Sequence, residues 1–293
     1  MDAVCVKGDW DVVIARRDDG VVEGVLVYHK RRYRGFELLI MPPMTAYNGI
    51  YIFYPNNQKA VKKERYTYRV TEKLMSGLPS HSLYFQQYHP DFHNWLGLYW
   101  NGYKQMTRYT YRIDKSQSEE EMYAKIKYTT RKDIESAKAI VSIEEIDFET
   151  YREAAVASFS RRGRSVPGNL QVLRNLHDTF SPERKVKILG ARHNESGALS
   201  SGVILAMDLM ATYWISGFVD IQENHKTTQS LLLWHAITNG TGITFDFEGS
   251  IIKEIESYTR SFGGELTPHS RIYNVPNFFL RKGLALFKPD FFV

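Results

Sequence analysis

Two acidic side chains, Asp246 and Glu248, stand two residues apart in the segment GITFDFEGS. The apolar run before them reads as a buried strand, and SIIKEIESYTRSF after them as an amphipathic helix. In a strand, residues two apart point to the same side. The spacing therefore places both carboxylates on one face and packs Phe245 and Phe247 on the other. Gly249 permits a sharp turn, Ser250 is the expected helix cap, and Ile251, Ile252, Ile255, Tyr258 and Phe262 form the expected buried stripe. A carboxylate in such a corner can orient an ammonium group and accept its proton, more readily when a like-charged neighbour raises its pKa. Two other roles fit the same residues. Glu248 can be held by the positive end of the following helix. The pair can also contribute to a magnesium site, but two carboxylates without a third ligand do not complete one, so no metal is expected.

Upstream, QENHKTTQSLL opens another helix, which Thr227 or Thr228 can cap. His225 and Lys226 beside it can meet an anion or remain solvated. Glycines at a helix N-terminus let the backbone cradle a phosphate. This segment has none, and neither has PNNQKAVKKER earlier in the chain. Arg161, Arg162 and Arg164 in SRRGRS, and Lys62, Lys63 and Arg65, are basic clusters suited to nucleic-acid phosphates or to solvated turns.

The elements that must hold these residues recur along the chain. Residues 11–44 and 185–219 each read as a strand, a turn rich in Asp, Asn or Gly, a second strand, a break and a third strand. A loop and helix follow in each, then a short strand ending in polar residues, then a helix and a strand. The boundaries are 1–115 for the first unit and 141–293 for the second, joined by a linking helix over 116–140 that Ser118 and Glu121 cap. The second unit opens with two additional helical patterns, FETYREAAVASF and NLQVLRNLHDTF, so the first is expected to be shortened at its N-terminus. In the first unit the cluster matching the acid pair is Gln86, Tyr88 and His89. With Thr45, Tyr47, Trp100, Tyr103, Lys104 and Arg108 it is expected to line an aromatic and amide-rich acceptor pocket, while other tyrosines fill the core. His89, before Pro90, reads as a turn residue.

This order of elements is that of a GNAT-type N-acyltransferase unit. Two in tandem resemble the FemAB family, the peptidoglycan interpeptide-bridge enzymes. LLLWHAITNGTGITFDFEGS, SFGGELTPHSRI, YWNGYKQMTRYTYRID and MPPMTAYNGIY carry the resemblance, which covers nearly the whole chain. It implies an α/β fold of two tandem GNAT-like units, with mixed sheets flanked by helices. It also implies transfer of an acyl or aminoacyl group onto an amine, on a cell-wall precursor or another small-molecule or glycopeptide acceptor. Asp246 and Glu248 would handle the amine, and His225, Lys226 and Thr227 would lie near the donor. The implied donor is aminoacyl-tRNA; the alternative is an acyl-CoA-dependent acyltransferase acting on a small metabolite or lipid, and no tightly bound cofactor is expected. The linking helix departs from the family: RKDIESA has Glu135 and Ser136 where basic residues are usual. A third reading, from another class, is a non-catalytic binding protein.

Composition fits an ordinary soluble globular protein. Of 293 residues, 43% are hydrophobic and 24% charged, and the net charge of +5 is modest for a dedicated nucleic-acid binder. A single cysteine, Cys5, excludes an intrachain disulfide and a cysteine-based zinc site. No GxSxG motif supplies a covalent nucleophile. No run of about 18 apolar residues predicts a membrane span, and the first residues lack the pattern of a signal peptide, so a cytoplasmic location is expected.

Overall fold

The computed structural model describes residues 1–220 and 225–287, apart from the side chains of His225, Lys226, Ala285 and Phe287. Two compact units form, one from Met1–Arg108 with the chain from Pro268 on, the other from Tyr109–Thr267. The chain begins with β1 (Asp9–Arg16), β2 (Val22–Tyr33), β3 (Phe36–Ile40), β4 (Gly49–Ile52), α1 (Ala60–Ser76), β5 (Leu83–Gln87) and α2 (Leu96–Trp100). Strand β6 (Lys104–Asp114) leads into the second unit, with α3 (Glu119–Lys125), α4 (Tyr128–Lys138), β7 (Val141–Glu145), α5 (Phe148–Ser160) and α6 (Leu170–Phe180). There follow β8 (Val186–His193), β9 (Leu199–Met207), β10 (Ala211–Val219), α7 (His225–Asn239), β11 (Thr244–Asp246) and α8 (Lys253–Arg260). Strand β12 (Glu265–Asn274) returns to the first unit, and α9 (Phe278–Phe287) ends the described chain.

Each unit repeats one pairing scheme. In the first, β1, β2 and β3 are antiparallel, and β3 then pairs in parallel with β5, Leu39 opposite Tyr84. In the second, β7 to β10 are antiparallel, and β10 pairs in parallel with β11, Tyr213 opposite Asp246. A parallel neighbour needs a crossover, which α1 supplies in one unit and α7 in the other. The next strand is exchanged between the halves of the sequence. β12 pairs with β5, Arg271 opposite Gln87, and β6 pairs with β11, Arg112 opposite Asp246. The repeat read at 1–115 and 141–293 follows element order, whereas strand pairing puts β12 with the first half and β6 largely with the second.

The linking helix expected over 116–140 is two helices. Ser118 makes both bonds of its capping box with Glu121. Ile126 then turns extended and buries its side chain, and the Lys127 amide bonds the Ser261 carbonyl at 2.8 Å. That bond outside the helix replaces one within it.

The second unit's core joins Ile134 and Ala137 of α4 and Leu232, Leu233 and Ile237 of α7 to Phe245 and Phe247. In the first, Val70 and Leu74 of α1 pack on Leu26, Leu39, Tyr84 and Tyr88. Each such large apolar side chain contributes roughly 1.5–3 kcal/mol on burial. No described helix is long and apolar enough to cross a membrane.

Candidate functional site

At the end of β11 the register aligns Tyr213, Asp246 and Arg112 across three strands, so their side chains share a face. Thr110, two residues before Arg112, shares it as well. Asp246 is fully buried. Its Oδ1 accepts from Thr110 Oγ1 at 2.7 Å and from the Glu248 amide at 2.8 Å, and Arg112 Nε stands 3.4 Å from its Oδ2. Buried charge is stable only when it is paired and hydrogen-bonded in this way. Tyr213 has its phenol pKa raised by burial and by the charges of Asp208 and Asp246.

Glu248 differs. The strand has ended, and Glu248 and Gly249 both take left-handed backbone angles, φ 59° and 71°. For a non-glycine residue that conformation costs about 1–2 kcal/mol. A Cβ on Gly249 would lie 2.1 Å from the Tyr109 carbonyl oxygen, so only glycine fits. The alternation expected from Asp246 to Glu248 is thus broken by the turn. Glu248 is half-buried, and its carboxyl has no hydrogen-bond partner among the described residues. Enough protein surrounds that carboxyl for desolvation, reinforced by the Asp246 charge, to push its pKa up to about 8.

The turn also reorients the chain beyond Gly249. Helix α8 begins at Lys253, and Ser250 Oγ accepts from the Ile252 amide ahead of it rather than capping its first turn. Ile251, Ile252 and Ile255, expected in a buried stripe, are exposed, while Phe262 packs on Phe247 and Tyr258 stands edge-on to Phe262. An eight-residue helix entered through a left-handed turn has only its far end against the core.

Among the donor-side candidates, Thr227 is half-buried and Thr228 fully buried in the first turn of α7. The side chains of His225 and Lys226 lie outside the described residues. Arg161 pairs with Asp220, and Arg162 donates to the Val219 carbonyl and to Ser158 Oγ. Both therefore anchor the end of β10. Arg164 instead lines a cavity of about 720 Å³ between α5 and α6, with Ser160, Ser165, Asn169 and Gln171, a cavity to which no residue of the acid corner contributes.

In the first unit, the expected acceptor residues divide into three groups. Gln86, Tyr88 and Tyr103 are buried. Gln86 Oε1 accepts from Asn48 at 3.1 Å, the Tyr88 and Tyr84 hydroxyls meet at 2.7 Å, and Tyr103 stands edge-on to Tyr84 with its pKa pushed up to about 12 by burial. Trp100 and Lys104 are exposed, Trp100 against Tyr68, and Thr45 donates to the Pro43 carbonyl. Tyr47 and Arg108 join His89 and two residues that the sequence reading did not select, His269 and Arg271. The Tyr47 ring stands edge-on to His89 at 5.2 Å and to His269 at 5.1 Å. Arg271, on the His269 face of β12, reaches Gln87 Oε1 at 3.2 Å and Met106 Sδ at 3.8 Å and lies over Phe85. Burial and the Arg108, Arg271 and His89 charges push the His269 pKa down to about 4. The available signal was the pair HSR at 269–271, matched to TYR at 110–112 by the repeat.

The sequence matches no protein-family model and no curated protein. Solved structures do match. FemX aligns with a TM-score of 0.70 at 11% identity, over 96% of this chain and 92% of its own. L-PGS from Bacillus licheniformis gives 0.52 at 9% identity, over 94% and 87%. A tandem GNAT protein from the clavulanic acid biosynthesis pathway gives 0.50 at 11% identity, over 90% and 82%. With the twice-repeated hairpin, crossover helix and parallel strand, these likenesses identify the fold of this chain as the tandem GNAT fold of the FemAB type.

Proposed function

We propose that the protein is an N-acyltransferase that moves an acyl or aminoacyl group onto an amine acceptor, with Glu248 as the general base. One observation carries this reading: a half-buried carboxyl without a hydrogen-bond partner among the described residues, with a pKa near 8, held in a strained turn. A base with that pKa is suited to proton transfer near neutral pH. Asp246 is too enclosed to touch a substrate and serves as a positioning residue. It accepts from the Glu248 amide and adds the like charge that raises the neighbouring pKa.

In the proposed step, Glu248 takes a proton from the acceptor ammonium. The neutral amine forms a C–N bond at the donor carbonyl, and the C–O bond of an aminoacyl ester, or the C–S bond of a thioester, breaks. The second nitrogen proton, lost as the amide forms, passes to the leaving oxygen or sulfur, and Glu248 releases the first to solvent. The fold similarity to FemX and L-PGS favours aminoacyl-tRNA as the donor and a cell-wall precursor as one acceptor. The glycine-free segment before α7 agrees with a donor other than a standard cradled coenzyme A.

Calorimetry with acetyl-CoA and, separately, with a mixed aminoacyl-tRNA pool tests the donor. Salt-sensitive tRNA binding without a response to acetyl-CoA is expected, micromolar acetyl-CoA binding would make this an acyl-CoA enzyme, and silence to both would leave a binding protein. With the donor found, Glu248→Gln should lower kcat on the order of 100-fold while the fold is kept. Unchanged kcat would remove Glu248 from the mechanism.

A further inference from the structure

The first unit contains a corner equivalent to the acid corner, and it is electrostatically incomplete. Gln87 stands opposite Arg271 as Asp246 stands opposite Arg112. His269, two residues before Arg271, takes the place of Thr110, and His89, two after Gln87, that of Glu248. In the second unit the guanidinium has a carboxylate beside it, Asp246 Oδ2 at 3.4 Å from Arg112 Nε. In the first, a neutral amide oxygen occupies that place, 3.2 Å from Arg271 Nη2.

The deficit extends further. Arg271 Nε and His269 Nδ1 are buried without a hydrogen-bond partner among the described residues, and His269 is only 7% exposed. Buried polar atoms are almost always satisfied, so two on one face mark a missing partner, Arg271 Nε as a donor and His269 Nδ1 as donor or acceptor according to the ring tautomer. Arg108 adds a second guanidinium that repels that of Arg271, and among the described residues no acidic side chain pairs with either. Asp91, exposed, meets His89 Nδ1 at 3.4 Å instead.

We infer that the face formed by His269, Arg271 and Arg108 is a binding site for a ligand carboxylate, which supplies the group that Asp246 supplies in the second unit. Carboxylates match the guanidinium fork in geometry and charge. The Tyr47 ring, against both histidines, forms an apolar wall beside the site. The ligand class is therefore a carboxylate attached to a group that packs on an aromatic ring, as at the end of a peptide. This goes beyond the transfer reading, since it concerns the first unit and needs no donor.

The test is titration of the full chain with N-acetylglycine, followed through the histidine ring resonances, with N-acetylglycinamide and inorganic phosphate as separate arms. Saturable shifts with N-acetylglycine alone are expected. Arg271→Gln should weaken binding at least tenfold, and so should Arg108→Gln, which removes no hydrogen bond and so spares the fold. Gln87→Glu installs an internal carboxylate and should abolish binding while the melting transition is kept. Equal shifts with the neutral amide, saturation by phosphate alone, or unchanged binding in both arginine variants would overturn the inference. None of these results depends on Glu248 or on turnover, so they are separable from failure of the transfer proposal.

Discussion

The two corners share a backbone plan and differ in charge. Each lies where a strand with a parallel partner on one side and an exchanged antiparallel partner on the other comes to its end. In the second unit the guanidinium is matched by Asp246, and the acid left over, Glu248, carries the perturbed pKa. In the first, the acid is replaced by Gln87, and the guanidinium is what remains unmatched. One scaffold thus yields an unmatched carboxyl in one place and unmatched hydrogen-bond donors in the other. A duplicated fold can separate two tasks by changing which member of an ion pair it keeps.

Removing the matched acid should give the largest effect. Asp246→Ala removes the buried carboxylate beside Arg112 and the 2.7 Å acceptor of Thr110, and should destabilise the fold by about 3–5 kcal/mol in denaturant titration. Gln87→Ala, the same change in the neutral corner, should cost only about 1–2 kcal/mol. Equal losses would dissolve the distinction between the corners.

Gly249→Ala should cost about 3 kcal/mol or more, since it adds left-handed strain to contact with the Tyr109 carbonyl. A thermal midpoint unchanged from wild type would mean that the turn is not fixed as described.

A pH series sharpens the comparison further. Between the ordinary glutamate pKa of 4.5 and about 8, the folded chain keeps the Glu248 proton and the unfolded chain has lost it. Stability from this group is therefore fully present below pH 4.5 and declines as pH rises through that window, by about 3 kcal/mol after allowance for partial solvation. Glu248→Gln should flatten the decline, and identical pH profiles for the variant and wild type would exclude the raised pKa. The smallest effect is expected at Trp100, a residue expected at the acceptor pocket but found exposed. Trp100→Ala should change stability by less than about 1 kcal/mol through loss of its contact with Tyr68. A loss of several kcal/mol would mean that Trp100 is packed in the core.

The sequence alone determined the local elements and their repetition. Hairpin patterns, the Ser118 capping box and the helical spacing of α5 and α6 depend on neighbours within a few residues, where propensity and periodicity act. It also singled out Asp246 and Glu248, because two acids at the end of an apolar strand conflict with burial. Only the tertiary structure decided that these acids play different parts. The φ of Glu248 depends on Gly249 meeting Tyr109, and the fixation of Asp246 depends on Thr110 and Arg112, more than 130 positions earlier in the chain. The same reason hid the corner of His269, Arg271 and Arg108. Strand exchange brings β12 beside β5, and no local pattern records which edge a strand will join.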